Sequence, residues 1–219
     1  SNVMAGHETT LPITLDQMIY HASSVIRAVD RALVVVDLPF GTYQADSKEA
    51  LRSAIRIMKE SGAHAVKLEG GHEVKESIER ILQAGIPVMG HLGLTPQSVH
   101  VFGGFKVQGR NDLQAENILE QAIELEQAGI QLLVLECIPK DLAAKISQRL
   151  SIPVIGIGAG AKTDGQILVM HDMFGISANY MPKFSKNYLQ QTNNMREAVS
   201  QYIEEVQSQS FPSDEHSFN

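Results

Sequence analysis

The feature that most limits how this chain can fold is a phrase that recurs along it: helix, glycine, apolar strand, polar residue. The wording is nearly literal at Gln83-Ala84-Gly85-Ile86 and again at Gln127-Ala128-Gly129-Ile130. Glycine ends a helix well because it enters the left-handed region without a Cβ clash. The strands that follow are continuous apolar runs: Ala32 to Val36, Ile86 to Met89, Leu132 to Leu135 and Ile152 to Ile155. Such runs fit strands covered on both faces, as in parallel sheets. Alternating β and α segments then predict an α/β fold with a parallel sheet. An open doubly wound sheet and a closed barrel both satisfy that alternation. Polar residues end almost every strand, which favours a (β/α)8 TIM barrel, whose active site is assembled at the carboxyl ends of its strands.

Each predicted unit has its own punctuation. Thr14 with Gln17 has capping-box spacing, before a helix reaching about Val29. Asp46 or Ser47 caps a helix that Gly62 ends, and a strand over 64–69 follows. Helices are predicted over 73–83, 114–127 and 140–149, with a last strand over 166–172 and a helix from about Lys186 to Val206. Leu92 to Asp112 reads as a long loop of the kind that often serves as a lid. That makes about six of the eight strands a barrel needs. Ser1 to Thr10 reads as a loop following a strand outside this sequence, so the first two βα units are expected to be absent. The chain is read as a single N-terminally incomplete barrel domain over 1–219, with a polar C-terminal tail over 207–219 expected to be mobile unless a neighbouring subunit binds it.

Composition removes several alternatives. At 219 residues the chain can bury a sizeable core. A net charge of −7 without a dense Lys/Arg cluster argues against a nucleic-acid surface or an anionic membrane face. No apolar run approaches the ~20 residues of a membrane span. Cys137 is the single cysteine, so no internal disulfide forms, which fits a reducing, cytoplasmic setting.

The chemistry is expected where the strands end. In Ala65-Val66-Lys67-Leu68-Glu69-Gly70-Gly71, side chains two apart share a face, so Lys67 and Glu69 point one way and Val66 and Leu68 the other. Asp37, Lys67, Glu69, His91 and Glu136 are the inward candidates, with His171 and Asp172 read as mostly structural. Two or three carboxylates with one Lys and one His suggest a divalent cation, and oxygen ligands favour Mg²⁺ over Zn²⁺. Other roles remain open for each residue: a turn at Asp37, a hydrogen-bonded core position for His91, a helix N-terminus or Lys partner for Glu136. Gly156-Ile157-Gly158-Ala159-Gly160 either cradles a phosphate or leaves room for a ligand at the barrel mouth.

Assembled in order, these segments resemble the ketopantoate hydroxymethyltransferase (3-methyl-2-oxobutanoate hydroxymethyltransferase) family. The matching stretches are Asp37-Leu38-Pro39-Phe40, Val66 to Gly71, Gly90-His91-Leu92-Gly93-Leu94-Thr95-Pro96-Gln97-Ser98, Gly103 to Arg110, Leu133 to Cys137, Pro153 to Gly160 and Gly165 to Asp172. The resemblance implies a (β/α)8 barrel, Mg²⁺, and 5,10-methylenetetrahydrofolate as co-substrate. The reaction it implies adds a hydroxymethyl group to 3-methyl-2-oxobutanoate, giving 2-dehydropantoate on the way to pantothenate and coenzyme A. It puts Asp37 and Glu69 on metal positions, Asp37, Lys67 and His91 on substrate contacts, and Glu136 on the proton acceptor; on chemical grounds His91 is the alternative base. It also implies a homo-oligomer, typically a decamer. The family's pattern has an Asp-Ser pair just before the segment Val3 to His7, and this sequence carries neither residue.

The competing enzyme class is a Mg²⁺-dependent 2-oxo acid lyase or mutase of the phosphoenolpyruvate mutase/isocitrate lyase type. A solvent-facing Cys137 in a mobile loop would favour it. A phosphate held at Gly158 to Gly160 would favour a barrel synthase. Intact oligomerisation without oxo-acid binding would favour a non-enzymatic assembly module.

Overall fold

The computed structural model describes residues 1–177 and 180–219. In chain order its elements are α1 (Asn2–Ala5), α2 (Leu15–Ala28), β1 (Val35–Asp37), α3 (Ser47–Ser61), β2 (Ala65–Lys67), α4 (Lys75–Gln83), β3 (Val88–Gly93), α5 (Val99–Phe102), α6 (Asp112–Ala128), β4 (Leu132–Glu136), α7 (Lys140–Arg149), β5 (Val154–Ile157), β6 (Gly165–Gln166), α8 (Met170–Met173) and α9 (Met195–Gln207).

The six strands form one sheet in the order β1-β2-β3-β4-β5-β6, and every neighbouring pair is parallel. That order decides between the two architectures left open by the sequence. A doubly wound sheet reverses its strand order at a switch point. Here each new strand is added on the same side, so the sheet winds in one direction, as in a barrel wall.

Local signals start and stop the helices. The Thr14 side chain accepts from the Gln17 N–H while Gln17 reaches back, completing the capping box. Asp46 caps α3 by accepting from the N–H groups of Lys48 and Glu49. Gly62 ends α3 at φ 77°, a left-handed conformation that suits glycine. The face these helices cover is the core, where Ile57, Val66, Leu68, Ile78, Ile81, Leu125, Leu133, Leu135, Ile138 and Ile146 are all buried. Each such side chain contributes about 1.5–3 kcal/mol by leaving water. The opposite face of the sheet presents Val35, Lys67, Met89, Val134 and Ile155 to a cavity of about 570 Å³, bordered by Tyr202, Ile203 and Val206 of α9.

Several expected boundaries move. The last strand is only Gly165–Gln166, and the apolar run beyond it turns into α8. Ile167, Val169 and Met170 are exposed, so that run is not a buried strand. The C-terminal helix begins at Met195, capped by Asn194, not near Lys186. The long loop after His91 is partly ordered: β3 reaches Gly93, a 3₁₀ turn spans Pro96–Ser98 and α5 follows. The tail over 207–219 packs instead of lying free. Phe211 is buried with Met173, Phe174, Tyr188 and Ala198. The Lys140 N–H donates to the Phe218 carbonyl at 2.9 Å, and Lys183 Nζ donates to the Ser217 carbonyl at 2.6 Å.

Candidate active site

Asp37 ends β1, Lys67 ends β2 with Glu69 two residues on, His91 lies in β3 and Glu136 ends β4. Parallel pairing sets these ends side by side: Asp37 is in register with Lys67, and His91 with Val134. All five sequence candidates therefore meet in one cleft. The Lys67 ammonium forms an ion pair with Asp37 Oδ1 and lies 3.1 Å from His91 Nδ1. His91 Nδ1 is 4.0 Å from Glu69 Oε1, and His91 Nε2 is 3.2 Å from Glu136 Oε2. The Gln97 main-chain N–H donates to Glu69 Oε2 at 2.8 Å.

These contacts assign protons. An ammonium only donates, so His91 Nδ1 accepts from Lys67 and the ring proton sits on Nε2. Among the described residues that N–H is buried and forms no hydrogen bond despite its closeness to Glu136, because the approach is out of line. Burial, reinforced by the Lys67 charge, pulls the His91 pKa down to about 3, so the ring is neutral. Burial also pushes the Glu136 carboxyl up to about 8, with Lys67 opposing the rise and Asp37 adding to it. Desolvation raises Glu69 as well, opposed by the Lys67 charge and the Gln97 main-chain N–H. For Lys67 burial favours the neutral amine, but the combined attraction of Asp37, Glu69 and Glu136 outweighs it and the pKa rises.

Three carboxylates against one ammonium leave the cleft two negative charges in excess when all are ionised. Asp37 Oδ1 is buried, and among the described residues its close partner is the Lys67 ammonium. A hard dication offsets such an excess, and Mg²⁺ is commonly held by one or two carboxylates. The oxygen donors of Asp37 and Glu69 fit it on these grounds. Among the described residues, no group of three His, Cys, Asp or Glu side chains converges to hold an ion.

Other sequence candidates lie elsewhere. Asp172 is buried and accepts from Ser177 Oγ at 2.6 Å, a local structural role. Gly158 and Gly160 make room for the chain itself: a Cβ would lie 3.0 Å from the Phe184 ring in one case and 2.5 Å from Lys140 Cβ in the other. Cys137 is buried at the end of β4, and burial pushes its thiol up, so it is not the exposed reactive cysteine a lyase loop would carry. Tyr43 and Gln97 were not among the sequence candidates; their contacts span the ends of different strands.

A one-way parallel sheet with ionisable side chains gathered at the carboxyl ends of its strands defines an α/β enzyme of the barrel type. Its fold resembles Leishmania donovani UMP synthase, with a TM-score of 0.54 and 18% identity over 89% of this chain and 43% of that one. It also resembles oxaloacetate acetylhydrolase, with a TM-score of 0.52 and 14% identity over 70% of this chain and 54% of that one. At these identities the likeness concerns the fold alone. The family model for ketopantoate hydroxymethyltransferase matches residues 1–214, and the chain belongs to that family. It is 65% identical to the 3-methyl-2-oxobutanoate hydroxymethyltransferase of Flavobacterium johnsoniae, over 97% of this chain and 78% of the relative. It is 63% identical to the enzyme of the same name from Pseudoalteromonas atlantica, over 99% of this chain and 81% of the relative.

Proposed function

We propose that the protein transfers the one-carbon unit of 5,10-methylenetetrahydrofolate to 3-methyl-2-oxobutanoate, giving 2-dehydropantoate for pantothenate and coenzyme A synthesis. The observation that carries this reading is the Glu136 carboxyl. Burial holds it near neutrality, beside a neutral histidine and within the field of a buried lysine. A general base works best with a pKa near the working pH. In this reading Glu136 takes the proton from C3 of the 2-oxo acid. Lys67 holds the substrate anion and places fixed positive charge beside the oxygen where negative charge grows. His91 keeps its Nε2 proton directed into the cleft as a hydrogen-bond donor to substrate. His91 is a poor base here, because its one lone pair already faces Lys67. Asp37 and Glu69 would hold Mg²⁺, which supplies Lewis-acid polarisation of the keto oxygen when bound.

The remaining parts of the reading are architectural. The six βα units are taken as part of a single (β/α)8-barrel domain with the tail as its C-terminal strap. The protein is placed in the cytoplasm and assembles with copies of itself, to a decamer by likeness to the family.

The test follows deuterium entering C3 of 3-methyl-2-oxobutanoate in heavy water by proton NMR, with Mg²⁺ present. A second arm adds 5,10-methylenetetrahydrofolate and looks for 2-dehydropantoate. Exchange with product formation supports the transferase. Exchange without product under saturating folate would instead favour an enzyme that only cleaves or rearranges 2-oxo acids, and neither would sink the reading.

A further inference from the structure

Glu69 is held by residues outside the cleft. The Gln97 main-chain N–H occupies Glu69 Oε2 at 2.8 Å, leaving Oε1 turned toward His91. The Gln97 side chain reaches in two further directions. Its Nε2 donates to the Leu38 carbonyl at 3.0 Å, next to Asp37. Its Oε1 accepts from the Tyr43 hydroxyl at 2.8 Å and from Gln44 Nε2 at 3.0 Å. The Tyr43 hydroxyl in turn accepts from the Glu69 main-chain N–H at 3.2 Å. Tyr43 is 1% exposed, so its hydroxyl has no water to fall back on. The amide orientation is determined by its partners: flipped, it would set a donor against Gln44 Nε2 and an acceptor against a carbonyl.

Gln97 therefore ties the turn after β3 to the chain leaving β1 through its side-chain amide, and to the chain leaving β2 through its main-chain N–H and, by way of Tyr43, the Glu69 main chain. The two carboxylates at Asp37 and Glu69 belong to those two chain segments; strand pairing sets their backbones side by side but leaves the Glu69 side-chain rotamer free. We propose that Gln97, supported by Tyr43, is a positioning residue that sets the Glu69 carboxylate relative to Asp37 and so acts on the cleft through Glu69. The inference rests on the reading of those two carboxylates as the cation-binding pair.

The experiment uses Gln97→Ala, the milder Tyr43→Phe, Glu69→Gln, and the Q97A/E69Q double variant. Mn²⁺ binding is read by electron paramagnetic resonance and C3 proton exchange by NMR, beside thermal melts. Removing a group that orients a metal ligand typically weakens metal binding about 10–100-fold. That loss is expected in Q97A and, toward its lower end, in Y43F, with melting near the original temperature. In the E69Q background, Q97A should change the exchange rate by less than about twofold, because residues acting as one unit are not additive. Unaltered Mn²⁺ affinity in both variants overturns the inference, and so does a Q97A effect that is the same with and without Glu69. A parent protein that exchanges the proton but binds no Mn²⁺ removes the cation reading, and the exchange cycle then decides the role of Gln97. A parent that does neither removes both.

Discussion

Glu136 is basic because water is largely excluded from it. Its side chain is 14% exposed, and the lost hydration raises its pKa to about 8. Glu136→Gln keeps the shape but cannot accept a proton, so C3 deuterium exchange should fall roughly 10²–10⁴-fold with 2-oxo acid binding retained. If E136Q exchanges near the parent rate while His91→Asn does not, the base is His91. The same shift affects stability. An unfolded glutamate loses its proton near about 4.3, whereas the folded one keeps it until about 8. The folded state thus binds more protons across that window, and its stability falls as pH rises through it. E136Q lacks this slope, so its advantage over the parent in unfolding free energy, read from denaturant titrations, should be larger at pH 8 than at pH 5, by up to about 4 kcal/mol. Parallel pH profiles for the two proteins would refute the raised pKa. Lys67→Ala should weaken 2-oxo acid binding in calorimetry, since it removes the charge that faces the anion; unchanged affinity would leave Lys67 as a structural partner of Asp37.

Elements are held in place by close backbone approaches that side chains cannot share. Gly93 ends β3 at φ 92°, and a Cβ there would lie 2.3 Å from the Glu136 carbonyl oxygen. Gly41 has a similar φ of 85° with open space around it. Gly41→Ala should therefore lose only the conformational penalty of a left-handed alanine, about 1–2 kcal/mol. Gly93→Ala adds a backbone clash, worth a further 1–3 kcal/mol or so, and moves the end of β4 that carries Glu136. Denaturant unfolding of the pair checks this; equal losses would mean that β3 and β4 have room to part. The βα units, the caps at Thr14 and Asp46 and the polar strand ends are legible in the sequence; the Asn194 cap is not. Asp37, Lys67, Glu69, His91 and Glu136 are legible too, because each interrupts or ends an apolar run. The shortness of β6 was not legible. Ile167 to Met170 is as apolar as a buried strand, yet only Leu168 of the four packs on a core cluster while Ile167, Val169 and Met170 are exposed.

At the scale of the whole molecule, the C-terminal segment is part of the packed structure. Phe211 sits edge-on to Tyr188 and Tyr202, with ring centroids 5.8 and 5.9 Å away. Phe211→Ala should cost about 3–5 kcal/mol, read as a lowered midpoint in urea. A midpoint within the error of the parent would mean that the tail is detached in solution. Polar composition had suggested a free tail because the partners of residues 211–218 lie at Lys140, Lys183 and Tyr188, contacts that no local window contains.

The sequence by itself determined the alternation of strands and helices, the parallel class of the sheet, the family, and the residue types at the strand ends. These follow from periodicity, capping and turn chemistry, which act over a few residues. Tertiary structure decided the rest. Strand order, which separates a one-way wall from a doubly wound sheet, depends on which strands pair. The reason for proposing Glu136 over His91 as the base lies in where Lys67 Nζ comes to rest, 3.1 Å from His91 Nδ1. The hold on Glu69 depends on Gln97 and Tyr43, 28 and 26 residues away along the chain. Desolvation and hydrogen-bond direction are properties of groups brought together, and they do not exist until the chain has folded.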